Sequence, residues 1–176
     1  LDEATAAAES MLMFFHLRSR AQIKNEVNKF FMEENVFPQN MDVIKSHASA
    51  TGIELVFGDY KTTKTDSSFF GAIVQYPSAT GNVSDYKEFA KTLNEAEIKL
   101  AVISDLMALS MIEEPGSWGA DCVVGNSQRM GVPIGYGGPH AAYLAEKSSK
   151  TIVHVMQMLP RGFFRLGGSD KKSTTQ

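Results

Sequence analysis

Residues 70–104, FGAIVQYPSATGNVSDYKEFAKTLNEAEIKLAVIS, decide the fold class. Residues 70–76 are apolar apart from one glutamine, and Pro77 and a turn around Gly81 close them, so they predict a buried strand. In residues 85–97 the side chains of Tyr86, Phe89, Ala90, Leu93 and Ala96 recur at helical spacing, which predicts an amphipathic helix. Residues 100–104 carry no charge and read as a second buried strand. A strand, a helix and a strand of these lengths form a parallel crossover unit, and strands covered on both faces are continuous apolar runs.

The same alternation extends in both directions. Residues 1–20 predict a helix, with Leu1, Ala4, Ala8, Met11, Leu12 and Phe15 on one stripe. Asp2 and Glu3 near its start and Arg18 and Arg20 near its end complement the helix dipole. Residues 29–32 (KFFM) predict a short strand, and Pro38 opens a second helix reaching about His47. Residues 53–57 (IELVF) are a strand and 58–68 a polar loop; 121–124 and 140–144 add two strands towards the carboxyl end. The class is α/β, a mostly parallel sheet covered by helices. Residues 1–145 form the domain. Residues 146–176 are a divergent basic tail without apolar period, read as disordered or out of frame.

Composition narrows the function. The 176 residues are 43% hydrophobic and 21% charged, which excludes a disordered chain. The net charge is -3, from 17 basic and 20 acidic side chains, so there is no clustered basic surplus of the kind nucleic acid requires. A single cysteine, Cys122, leaves no internal disulfide and fits a reducing compartment. The uncharged run 130–145 is broken by glycines, Pro133 and Pro139 and predicts no membrane span. The start, Leu1-Asp2-Glu3, lacks an initiator methionine and a basic segment; it predicts an excerpt rather than a signal peptide.

Several residues are candidates for chemistry. His16, His47 and His154 have no ligand partner at zinc spacing and read as packed or solvated; no metal site is expected. Cys122 sits in a buried strand and reads as an apolar filler. The loop Gly135-Tyr136-Gly137-Gly138-Pro139-His140 matches neither phosphate-loop template, leaving a tight connection or a close approach to a ligand or subunit. Asp105 follows a strand end, where open α/β sheets place ligands, and equally suits a cap on a short helix over 106–112. Arg129 ends the polar run Asn126-Ser127-Gln128-Arg129, where it suits an anion or an acid partner. The helix start at Ala4-Thr5-Ala6 offers backbone N–H groups that could hold a phosphate.

LDEATAAAESM, KFF, VFPQNMDVIK, GAIVQYP, SDLMAL and PGSWGADCVVGNSQRMGVPIGYGGPHAAYLA, in this order, closely resemble the P-protein family of the glycine cleavage system over about residues 1–145. SQRMGVPIGYGGPHAAYLA is the most specific part. The family is glycine dehydrogenase (decarboxylating), an oxidoreductase of the aspartate-aminotransferase-like fold (fold type I) that uses pyridoxal phosphate. The resemblance implies an amino-terminal half without the Schiff-base lysine. Aligned on Gly119-Ala120-Asp121, the family's catalytic His-Lys pair falls on Gln128-Arg129. A guanidinium stays protonated, with a pKa above ~12, and cannot form an aldimine.

The resemblance also assigns Asp105 to the acid beside the cofactor's ring nitrogen and Thr5 to the phosphate cup. Thr5 is preceded by Ala4 where relatives have glycine. Thr5, Asp105 and Gln128 are therefore the expected cofactor-binding residues of a degenerate pocket, with no catalytic residue and with Arg129 free to pair with Asp105. Implied for the parent enzyme are glycine as substrate, a lipoyl H-protein that receives the aminomethyl group, and a catalytic carboxyl-terminal half. The isolated chain is expected to be inactive and not to hold pyridoxal phosphate covalently. The expected location is bacterial cytoplasm, or the mitochondrial matrix in a eukaryote. Beyond residue 145 the family's Met-Pro-Gly-Arg is only echoed by Met158-Leu159-Pro160-Arg161-Gly162, which suits a truncated reading frame. The competing expectations are a non-catalytic dimerisation subunit or interaction module, and another pyridoxal enzyme of related fold.

Overall fold

The computed structural model describes residues 2–138 and 140–146. The elements in chain order are α1 (Glu3–His16), α2 (Arg20–Lys24), β1 (Lys29–Glu33), α3 (Pro38–Thr51), β2 (Glu54–Gly58), β3 (Phe69–Tyr76), α4 (Lys87–Glu95), β4 (Lys99–Ser104), β5 (Cys122–Asn126) and β6 (Ala142–Glu146). The strands form one six-stranded sheet in the order β2-β1-β3-β4-β5-β6. All pairings are parallel except β5 with β6.

Each face of the sheet has its own core. Phe30, Met32, Ile73, Ala101, Ile103, Cys122 and Val124 pack under α1 and α3. The alternate positions Phe31, Ala72, Val74, Leu100 and Val102 pack under α4, joined by Tyr86 and Ala120. Every residue of β3 is buried, which is why that stretch reads as an unbroken apolar run. Its one polar side chain, Gln75, is 2% exposed.

Local hydrogen bonds move several boundaries. The helix expected over 1–20 ends at His16, because Arg18 Nε donates to Phe15 O at 2.8 Å. A separate turn, α2, begins at Ser19, whose Oγ accepts from Gln22 N at 3.2 Å while Gln22 Oε1 accepts from Ser19 N at 2.8 Å. α3 runs on to Thr51 and stops at Gly52, whose φ of 73° ends the helix. The helix expected over 106–112 is only a 3-10 turn, Ala108–Ser110. Asp105 holds the chain just before it by accepting from Met107 N at 2.9 Å. The last strand starts at Ala142 and antiparallel to β5; His140 precedes it with a φ of 38°.

Gly125 in β5 has a steric role. A Cβ there would meet Ser104 O and the ring of Tyr143. Its absence lets Tyr143 of β6 cross β5 and donate its hydroxyl proton to Ser104 O of β4 at 2.8 Å. The calls for residues 147–176, including His154 and the basic tail, lie outside the described residues.

Candidate functional site

The strand order reverses between β1 and β3, and in open α/β sheets ligands bind at the carboxyl ends of strands at such a point. A cavity of about 650 Å³ lies there. It is bordered by Phe37 and Gln39 after β1, by Pro77 and Ser78 after β3, by Asp105 after β4 and by Asn126, Gln128 and Arg129 at the end of β5. The first residue of α1, Glu3, completes the wall.

The floor is a chain of amides and one carboxylate. Glu3 Oε1 accepts from Asn40 Nδ2 at 2.7 Å, and Glu3 Oε2 from Asn126 Nδ2 at 2.8 Å. Asn40 Nδ2 also donates to Gln75 Oε1 at 3.2 Å, and Gln75 Nε2 to Ile103 O at 3.4 Å. The first turns of α1 and α3 are thereby tied to β3, β4 and β5. Burial raises the Glu3 carboxyl above its ordinary value; the two amides oppose that, and the charges of Asp105 and Asp2 add to it.

Asp105 and Arg129 meet, as the sequence suggested they would. Arg129 Nε is 2.9 Å from Asp105 Oδ2. The other oxygen of Asp105 is the one that accepts from Met107 N. The aspartate is therefore both a turn cap and an ion-pair partner. Gln128 lies beside it, with its backbone N–H donating to Asn126 Oδ1 at 3.1 Å.

Thr5 is not in the wall of the cavity. Its N–H donates to Asp2 Oδ1 at 2.7 Å, and Ala6 N donates to Asp2 O at 2.9 Å. The amino end of α1 is thus occupied by the protein's own carboxylate. Burial tends to raise the Asp2 carboxyl, but the Thr5 hydrogen bonds and the charge of His140 outweigh it and leave Asp2 below its ordinary value. His140 is exposed, and Gly135, Gly137 and Gly138 before it all have positive φ, so this loop uses its glycines for turning. Cys122 is fully buried and its thiol is pushed up by that burial, which suits a filler and not a nucleophile.

Sequence reasoning placed Asp105, Gln128 and Arg129 in one site, and the structure brings them together. It missed Glu3, Asn40, Gln75 and Asn126. Gln75 carried a signal: a lone polar side chain inside a strand buried on both faces needs a partner. Among the described residues no lysine borders the cavity, and no three His, Cys, Asp or Glu side chains group around a metal position. The residues present do not fit a covalently held pyridoxal phosphate. The amine is lacking, Glu3 and Asp105 face one paired cation, and the helix end that would seat the phosphate already carries Asp2.

The profile described as Glycine cleavage system P-protein matches residues 1–166, past the 145 boundary that the sequence resemblance set. The chain is 49% identical over 147 residues to glycine dehydrogenase (decarboxylating) of Flavobacterium johnsoniae, covering 84% of this chain and 16% of that protein. To the protein of that name in Nostoc sp. it is 42% identical over 147 residues, covering 84% of this chain and 14% of the relative. The chain therefore spans about a sixth of the length of these relatives. A crystal structure of glycine decarboxylase (P-protein) of the glycine cleavage system, in inhibitor-bound form, superposes with a TM-score of 0.72 at 28% identity, covering 86% of this chain and 34% of that one. The structure of metB from Corynebacterium glutamicum shares the fold at a TM-score of 0.64 and 16% identity, over 89% of this chain and 40% of that one.

Proposed function

As the chain belongs to the glycine cleavage system P-protein family, we propose that it is a part of a glycine dehydrogenase (decarboxylating), from a half that carries the scaffold of the cofactor site without its chemistry. The parent enzyme, on this reading, takes glycine as substrate, uses pyridoxal phosphate held elsewhere in the protein and passes its product to a lipoyl H-protein. The catalytic carboxyl-terminal half is the partner of this chain. The bacterial relatives favour the cytoplasm as the location. Among the described residues no helix is long and apolar enough to cross a membrane.

One observation carries the reading: the guanidinium of Arg129, held 2.9 Å from Asp105, stands at the strand end where the resemblance expects an aldimine-forming amine. A permanently charged group cannot attack an aldehyde, whereas a lysine shifted by burial can. The side chains here can hold a geometry and balance charge, and among the described residues none that borders the cavity is an amine able to form an aldimine. Incubating the 176-residue chain with an equimolar amount of pyridoxal phosphate, followed by borohydride reduction and peptide mass analysis, should label exposed lysines of the described region only in traces and no single lysine stoichiometrically. Glycine–bicarbonate exchange with added H-protein should be absent. Stoichiometric labelling of one lysine in that region, or measurable exchange, overturns the reading.

A second reading, a non-catalytic subunit that docks to a partner, is favoured by exposed apolar side chains on the loops after β4 and β5. Met111 is 91% exposed, and Ile134 and Tyr136 are also exposed. Sedimentation of the chain with a purified carboxyl-terminal half tests this docking. A stable complex supports the subunit, and two independent boundaries refute it.

A further inference from the structure

We propose that residues 151–159, which follow the last strand, close an apolar groove on the α4 side of the sheet. The groove has a volume of about 360 Å³. Its walls are Leu106 and Leu109 from the loop after β4, Pro115 before β5, Val123 of β5, and Tyr143 and Ala145 of β6.

The two faces of β5 and β6 are covered unequally. On one, Cys122, Val124 and Leu144 lie in the core under α1, all at most 2% exposed. On the other, Val123 and Ala145 are only half-buried, and α4 packs further along the sheet, on β4. A mostly parallel sheet needs apolar cover on both faces, so the groove marks the part of the cover that the described residues do not supply.

Chain continuity selects the occupant. β6 ends at Glu146, which itself borders the groove. Residues 147–150 (KSSK) come next and span at most about 14 Å when extended. Residues 151–159 (TIVHVMQML) follow; they contain no Asp, Glu, Lys or Arg, and Ile152, Val153, Val155, Met156, Met158 and Leu159 are apolar. A segment on so short a tether acts at an effective concentration in the millimolar range, well above that of a second copy in dilute solution. The polar stretch 168–176 (GSDKKSTTQ) has no side chain to fill such a groove.

Charge agrees with that choice. The charged residues bordering the groove are Glu114, Asp121 and Glu146, with no lysine or arginine among the described residues there. Lys99 meets Asp121 at 2.9 Å. An acidic rim suits a segment that enters through Lys147 and Lys150, and it disfavours an acidic partner.

The inference needs neither the cofactor site nor the parent enzyme's reaction. Its test is the full 176-residue chain with the photoreactive residue p-benzoylphenylalanine in place of Gly116. Gly116 borders the groove, and a Cβ added there meets nothing within 4 Å. Irradiation in dilute solution should give a product of single-chain mass in which residue 116 is joined to a peptide from 151–159. A product of twice that mass puts a second copy in the groove, and a link confined to residues 2–146, or none, leaves it without the segment; each of these overturns the proposal. In the same background Val155→Asp should lower the yield about tenfold, because an aspartate buried in an apolar groove is unfavourable. Ser173→Asp, the same change of charge outside the segment, should leave the yield unchanged. Equal losses in the two variants, or no loss in Val155→Asp, overturn the proposal. Hydrogen exchange on the unmodified chain decides the matter even if a variant fails to fold. Amides of 151–159 should exchange at least about tenfold more slowly than those of 168–176, and equal rates overturn the proposal.

Discussion

The two ends of α1 live by different rules. From Ala6 to Phe14 the helix presses Ala6, Ala7, Ala8, Met11, Met13 and Phe14 into the sheet, all at most 2% exposed. Its first residue, Glu3, instead joins two amides and faces a cavity. The apolar end is held by area and fit, which many side chains share. The polar end is held by a few hydrogen bonds whose partners come from elements far apart in sequence, so each is individually indispensable to the shape of the site.

The sharpest contrast comes from the apolar end. Phe14→Ala should cost about 3–5 kcal/mol in urea unfolding, since the ring is 1% exposed and leaves a cavity against the sheet. A cost below about 1 kcal/mol would show that the core is not close-packed there.

At the polar end, Glu3→Gln should cost no more than about 1 kcal/mol at neutral pH, because the amide turns an NH2 group on one of the two donors but also removes a charge whose burial is unfavourable. Its pH dependence has a definite sign. The Glu3 carboxyl lies above its ordinary value of 4.5 in the folded chain, so the folded state binds the proton more tightly than the unfolded one. Its contribution is therefore fully present below 4.5 and lost as pH rises through the raised folded value. The gap between the native chain and the variant should be widest in acid and narrow across that window. A gap that widens with rising pH would place Glu3 in a cationic setting and break the account of the site.

The smallest effect is expected at the mouth. Arg129→Gln should change thermal unfolding by no more than about 1 kcal/mol, because the ion pair is largely solvated on the arginine side. A larger loss would make Arg129 a structural strut and blur the distinction between the two ends.

Much of the fold was legible because burial on both faces writes β3 and β4 as unbroken apolar runs, and because α4 carries one clear stripe. The sense of β6 was not. A five-residue run has the same alternation in either direction, and only its pairing with β5 sets it. The early end of α1 was also hidden, since it depends on Arg18 reaching back to Phe15 O and on the Ser19–Gln22 pair. In the site, Asp105, Gln128 and Arg129 were legible as polar residues just past strand ends. Asn40 was not, because it lies in an ordinary-looking first turn and meets Gln75 across 35 residues of chain. Glu3 looked like a dipole complement, a use that an acid at a helix start commonly has. Thr5 was placed on the right helix, but Asp2 one turn earlier already holds its N–H.

The crossing of Tyr143 over Gly125 to Ser104 O has a mechanical consequence. It bolts three neighbouring strands together directly beneath the ends that carry Asp105 and Asn126. Molecules arriving from solvent thus meet a frame that was set before they came, and discrimination among them rests on how well they match it.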